Sequence, residues 1–277
     1  MIPALDHKRI PNQAIVGCAN PGSQVREDKV QDQPQQIPPI IHQIWIQGQN
    51  ALPQRYVKAS EQWQKRNPGW HYHFWDDQSL TKFLKEYQPH WLPLYECQQD
   101  LYARSDVARY ALLEHYGGLY ADMDTWCVRP VSRFVHTGAA SLKVQIYSPS
   151  YKKSQFHPTR YDLVANSIIA CTPGHPIWEQ VREEIARRND PVMTVPWRTG
   201  PDMFWPIVKQ YSEDNPQQVE FVGRRNILTT FFLPRAYMHW YGWTRRKVCV
   251  LDFNDSGRAA VVRELIRICV HLRSSAA

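Results

Sequence analysis

No two of the six cysteines form a C-x-x-C pair. Cys18, Cys97, Cys127, Cys171, Cys249 and Cys269 are scattered along 277 residues, so a disulfide framework is not indicated and a reducing compartment is the simpler reading. No apolar run near the start has the character of a signal peptide, and no later run is long enough to span a bilayer. The expected location is therefore the cytoplasm. Zinc-finger spacing and RNA-binding aromatic motifs are missing as well. That makes nucleic acid a minor alternative, although the formal charge of +7 suits phosphate-bearing ligands, acidic membranes or nucleic acid. No side chain stands out as a covalent nucleophile.

What is present fits one sizeable core at the upper end of a single α/β domain, with 43% hydrophobic residues. The 11 Trp and 14 Tyr are compatible with a sugar-handling surface and equally with an ordinary core. Residues 1–36, rich in Pro, Gln and charge, read as an extended arm rather than a domain. The domain proper is expected over 37–277.

The stretch from Tyr102 to Trp126 organises the rest. Val107, Tyr110 and Ala111 recur at helical spacing, and Ser105 or Asp106 can cap or open that helix. Gly117 and Gly118 end it. Gly118-Leu119-Tyr120-Ala121 then leads as a strand into Asp122-Met123-Asp124. In an extended segment Tyr120, Asp122 and Asp124 share one face, and Leu119, Ala121 and Met123 the other. Two carboxylates held together suit a hard divalent ion, Mn²⁺ or Mg²⁺. A bare D-x-D occurs roughly once by chance in a chain of this length, so context decides. An EF-hand is a poor fit, because Trp126 replaces the third ligand and the central Gly and final Glu are missing. Asp106 and Arg109, three apart, share a helix face. They form either a surface ion pair or a carboxylate and a guanidinium aimed at sugar hydroxyls.

The run S-D-x-x-R-Y-x-x-L-x-x-x-G-G-x-Y-x-D-x-D, from Ser105 to Asp124, resembles the signature of the DXD-type sugar transferases of glycosyltransferase family 32. These include fungal mannosyltransferases and are more distantly related to the clostridial toxin glucosyltransferases. The likeness extends from about Ile37 to Trp243. It implies a GT-A fold, a Rossmann-like α/β domain with a central mixed sheet flanked by helices, and transfer with retention at the anomeric carbon.

Flanking segments carry further parts of the resemblance. Ile37-Pro38-Pro39-Ile40-Ile41-His42-Gln43-Ile44-Trp45 resembles the family's first strand, which places Trp45 at the nucleotide base; a core Trp reads equally well. Asn67-Pro68-Gly69-Trp70 to Asp77 places Asp76 near the nucleotide, against a plain helix cap for the segment from Gln78 to Tyr87. Asn166, ahead of Pro173-Gly174-His175-Pro176, touches donor or acceptor sugar, or satisfies backbone groups at a strand start. Thr199-Gly200-Pro201 opens another helix, with Thr199 read as its N-cap. Residues 141–163 read as a variable hairpin or loop facing the acceptor.

Toward the C-terminus, His239 and Trp243 resemble a His-containing, Trp-ending motif, with Gly242 where the family carries Ser. By resemblance Asp122, Asp124 and His239 contact the metal or diphosphate. Trp45, Asp76, Tyr120, Asn166 and Trp243 line the donor. Residues 235–243 read as a lid. Residues 257–272 form an amphipathic basic helix that packs on the domain or meets a membrane or partner.

The implied enzyme is a metal-dependent retaining hexosyltransferase, with a nucleotide-sugar donor and a glycan, lipid or protein hydroxyl as acceptor. A UDP-hexose such as UDP-glucose is favoured, and GDP-mannose is the alternative. A nucleotide-sugar hydrolase and a non-catalytic basic binding module are the competing classes.

Overall fold

The computed structural model describes residues 36–136, 138–146, 164–188, 190–222, 227–230 and 250–253. Residues 1–35 of the expected arm, the lid with His239 and Trp243, the basic helix at 257–272, and residues 147–163 of the expected loop lie outside these residues.

The chain opens with β1 (Ile40–Ile44), α1 (Gln54–Arg66), β2 (His71–Trp75) and α2 (Asp77–Tyr87). It continues through α3 (Leu92–Glu96), α4 (Leu101–Tyr116), β3 (Gly118–Ala121), β4 (Thr125–Cys127), α5 (Ser132–Val135) and β5 (Leu142–Ile146). Then come β6 (Val164–Cys171), α6 (Ile177–Arg187), α7 (Val195–Arg198), α8 (Pro201–Asp214), β7 (Val219–Val222), β8 (Ile227–Thr230) and β9 (Val250–Phe253). The first six-stranded sheet runs β2-β1-β3-β6-β5-β7; a second, of three strands, runs β4-β9-β8.

β2, β1 and β3 are parallel, and β6 is antiparallel to both β3 and β5. The chain leaves β1 to one side to form β2 and returns to its other side to form β3. That reversal is a topological switch point, where α/β sheets open a crevice at the carboxyl ends of their strands. Ile44, Trp75 and Ala121 end the three strands at that edge, so Trp45, Asp76 and Asp122 follow there.

The sheet has two packed faces. Tyr120 and Ile169 join α4, α6 and α8 in one apolar cluster. Leu119, Ala121, Ile41 and Ile168 join Trp63 of α1 and Phe134 of α5 in the other. β3 is buried throughout, as a central strand covered by helices on both faces of the sheet must be. α4 is buried almost all round, from Asp106 to Leu113, which explains why an amphipathic stripe is hard to find in it.

Several local expectations change. α4 begins four residues earlier than Ser105, capped by Asp100, whose side chain accepts from the Tyr102 amide at 2.8 Å. Asp106 is therefore an interior helical residue. Residues 142–146 form β5, which pairs antiparallel with β6, in keeping with the hairpin alternative for that stretch. Gly117 and Gly118 do close the helix, with φ of 61° and 87°. A Cβ on Gly118 would stand 2.6 Å from the Ile40 carbonyl oxygen, so β1 and β3 pair only because that side chain is absent. Among the described residues no helix is long and apolar enough to cross a membrane.

Candidate active site

At the switch-point edge, the end of β3 meets the first half of α4, the start of β6 and the turn between α7 and α8. β3 stops at Ala121, and Asp122 begins a turn closed by the Thr125 amide donating to the Asp122 carbonyl at 3.1 Å. The shared-face argument for Tyr120, Asp122 and Asp124 therefore fails at Asp124, because the chain is turned there and not extended. The turn is held from beneath. Gln43 Nε2 donates to the Asp122 carbonyl at 3.1 Å, and Trp63 Nε1 to the Thr125 carbonyl at 3.2 Å.

Arg109 is the hub. Its guanidinium stands 3.0 Å from Asp122 Oδ1 and 3.1 Å from Asp106 Oδ1. Nη1 also donates to the Asn166 carbonyl at 2.6 Å, and the Tyr120 ring lies beneath at 4.4 Å. The Tyr120 hydroxyl donates to Asp122 Oδ1 at 2.6 Å. Asp106 and Arg109 are each only 5% exposed, which removes the surface ion-pair reading. Burial works against the charge on Arg109, but Asp122, Tyr120 and Asp106 outweigh it and raise its pKa. Burial pushes Asp106 up to about 6, against the opposing pull of Arg109 and Thr199.

Behind the hub is a second layer. Asn166 Nδ2 donates to Asp106 Oδ1 at 2.8 Å and to the Tyr110 hydroxyl at 3.0 Å. The Tyr110 hydroxyl donates to the Thr199 carbonyl at 2.9 Å, and Thr199 Oγ1 to Asp106 Oδ2, also at 2.9 Å. Thr199 is not the N-cap of α8. Gly200 holds that place, with no side-chain cap.

The structure thus brings together Asp106, Arg109, Tyr120, Asp122 and Asn166, with Asp124 on the same turn. Asp76 caps α2 in a reciprocal capping box with Ser79, the plainer of its two readings. Trp45 is half-buried beyond β1, its ring 5.4 Å from that of Tyr56, and its indole N–H has no acceptor among the described residues. His42 is structural. Its Nδ1 accepts from Trp75 Nε1–H and its Nε2–H donates to the Gly117 carbonyl, and burial lowers its pKa to about 3. The sequence reading missed Gln43, Tyr110 and Thr199 as supports. The signal for Gln43 was a polar residue inside an otherwise apolar strand, which must be hydrogen-bonded to be buried there.

Among the described residues no cluster of three His, Cys, Asp or Glu side chains is placed to hold a metal, and His239 lies outside them. The donor set nevertheless fits a hard divalent ion. Asp122 and Asp124 put two carboxylates on one turn, and Asp106 and Asp122 share one guanidinium, leaving that group short of positive charge.

A mixed sheet with a D-x-D turn at its switch point, backed by a buried Asp–Arg pair, defines a glycosyltransferase of GT-A type. The chain belongs to the family described as glycosyltransferase sugar-binding region containing DXD motif, whose sequence model matches residues 53–142. It is 34% identical over 182 residues to an uncharacterized glycosyltransferase of Acanthamoeba polyphaga mimivirus, covering 65% of this chain and 68% of that protein. It is 31% identical over 176 residues to inositol phosphoceramide mannosyltransferase 3 of Schizosaccharomyces pombe, covering 62% of this chain and 44% of the yeast protein. The chain thus spans less than half of that fungal relative. The PaToxG glycosyltransferase shares the fold, with a TM-score of 0.50 at 20% identity, over 66% of this chain and 72% of that one.

Proposed function

We propose that this glycosyltransferase moves a hexose from a nucleotide-sugar to an acceptor hydroxyl, with retention and with a divalent cation. The observation that carries the reading is Arg109, buried and bridging Asp106 to the D-x-D turn at the sheet's switch point. Burying Asp106 and Arg109 beside the partly exposed Asp122 is an expensive means of stabilising a fold. It is an effective means of presenting fixed, dry hydrogen-bonding groups to a ligand.

Asp122 and Asp124 are the residues that would hold Mn²⁺ or Mg²⁺. When bound, the ion would offset the charge that develops on the leaving diphosphate. Arg109 and Asp106 orient the sugar, and such positioning is worth several kcal/mol of barrier, up to about 7–11 in the best cases. The acceptor oxygen bonds to the anomeric carbon as the bond from that carbon to the diphosphate breaks. The acceptor's proton passes to a diphosphate oxygen on the same face, so the chemistry requires no enzyme nucleophile. Trp45, with an indole N–H lacking an acceptor, is the candidate stacking group for the base.

On the donor, we favour a mannosyl nucleotide over the UDP-glucose that the sequence alone favoured, because several fungal relatives are named as mannosyltransferases. The acceptor class is a glycan or lipid hydroxyl. The test is release of nucleoside diphosphate from GDP-mannose, UDP-glucose and UDP-galactose, with and without Mn²⁺. Metal-dependent release from one donor, lost in Asp124→Asn, is expected. Equal release with and without metal would reject the reading.

A further inference from the structure

We propose that Thr199 is a positioning residue for the Asp106–Arg109 pair, so that the turn between α7 and α8 sets how tightly the donor's sugar is held. The inference rests on the functional reading above, in which that pair faces the sugar.

Four residues from three separate parts of the chain form a closed hydrogen-bonded ring. Asn166 of β6 donates to Asp106 and to Tyr110, Tyr110 donates to the Thr199 carbonyl, and the Thr199 hydroxyl returns to Asp106. Thr199 is fully buried, and Asp106 and Asn166 are 5% and 7% exposed. The hydroxyl has one other acceptor in reach, the Val195 carbonyl at 3.5 Å. At that length the contact is marginal, whereas 2.9 Å to a carboxylate is a strong, charge-assisted bond. The threonine thus serves Asp106 rather than its own helix end.

The occupancy of Asp106 shows what this does. Oδ1 accepts from Asn166 and faces the Arg109 guanidinium as an ion pair at 3.1 Å. Oδ2 accepts from Thr199, so among the described contacts it keeps one lone pair for a further donor such as a sugar hydroxyl. Thr199 fixes the rotation of the carboxylate and therefore where that lone pair points. Gly200 keeps the approach close. Its φ of −91° is open to any residue, but a Cβ there would meet Pro196 Cα at 2.8 Å and Asp106 Oδ2 at 3.4 Å. Glycine is required here for space.

The experiment is calorimetry with Mn²⁺ on the full chain, comparing GDP-mannose with GDP and UDP-glucose with UDP, for wild type, Thr199→Val, Thr199→Ser and Tyr110→Phe. Wild type should bind its nucleotide-sugar more tightly than the bare diphosphate. Thr199→Val should reduce that margin about tenfold, the value of one hydrogen bond to a charged group, with diphosphate affinity nearly unchanged and Tm lowered by a few degrees. Thr199→Ser should restore it, and Tyr110→Phe should give a smaller loss. If Thr199→Val fails to fold, the Tyr110→Phe and Thr199→Ser margins decide. Equal losses for sugar-nucleotide and diphosphate, or no loss, would overturn the role of Thr199 alone. No binding of either nucleotide-sugar by wild type would overturn the functional reading, and the positioning role with it.

Discussion

The middle and the C-terminal end of α4 both hold charge, yet they do so differently. Near its C-terminus, Glu114 accepts from the Trp91 indole and from His90 at 3.2 Å, and pairs with Arg182 at 3.5 Å. Those partners come from the turn before α3 and from α6, and the His90 and Arg182 side chains are 45% and 25% exposed. This is a peripheral clamp, and solvent screens it. Near the middle of α4, Asp106 and Arg109 are almost wholly buried, and their remaining partners are the D-x-D turn, β6 and the α7–α8 turn. The first arrangement ties helices together. The second concentrates polar groups at a sheet edge where stability alone would favour apolar ones.

The comparison breaks most severely at Arg109. Arg109→Ala leaves two carboxylates facing each other in a buried site. It should cost about 3–5 kcal/mol in chemical denaturation, along with donor binding. A loss below about 1 kcal/mol would mean that water, not protein, solvates the pair. Next is Asp122→Asn, paired with Asp124→Asn. Each should reduce transfer by at least about 10²–10³-fold, the scale for removing one charge-stabilising group from a site, while Tm falls by only a few degrees. Near-normal turnover with metal supplied would remove either residue from the site.

A smaller effect concerns pH. Asp106 has a folded pKa raised to about 6 from 3.8, so the folded state binds its proton more tightly than the unfolded state does. The stability this group contributes is present in acid and declines as pH rises from about 4 to 6. Tm measured against Asp106→Asn should show wild type losing ground across that window, by at most about 3 kcal/mol. Donor binding should follow the opposite course and weaken below about pH 6, where the carboxyl protonates. The smallest effect is at the C-terminal end of the helix. Glu114→Gln should cost about 1 kcal/mol and leave transfer unchanged. A drop in activity there would erase the contrast between the middle of the helix and its C-terminal end.

Much of this was legible in the sequence, because its parts were local. The helix, the glycine stop, strand β3 and the D-x-D run lie within 24 residues, and spacing alone places Asp106 and Arg109 on one face. What was illegible depended on distant chain segments. Asp106 read as a helix opener because Ser-Asp is a capping pattern, whereas Asp100 caps the helix and tertiary packing buries Asp106. Thr199 read as a cap by local rule, but its hydroxyl goes to a carboxylate 93 positions away. The alternation that seemed to align Asp122 with Asp124 ended when β3 stopped at Ala121. Gln43 gave only the weak signal of a polar residue in an apolar strand. Asp76 could be a cap or a nucleotide contact by sequence, and its capping box with Ser79 favours the cap.

The central claim is that the buried Asp–Arg hub and the D-x-D turn together form a metal-linked site for a nucleotide-sugar. A thermal-shift titration of GDP-mannose and UDP-glucose, with and without Mn²⁺, on wild type and Asp124→Asn tests it most directly. Ligand at about 100 times its dissociation constant stabilises the folded state by about 2.7 kcal/mol. The account predicts a Tm rise of several degrees in wild type only when a donor and Mn²⁺ are both present, and no such rise in Asp124→Asn. The same rise without metal, or an undiminished rise in the variant, would contradict it.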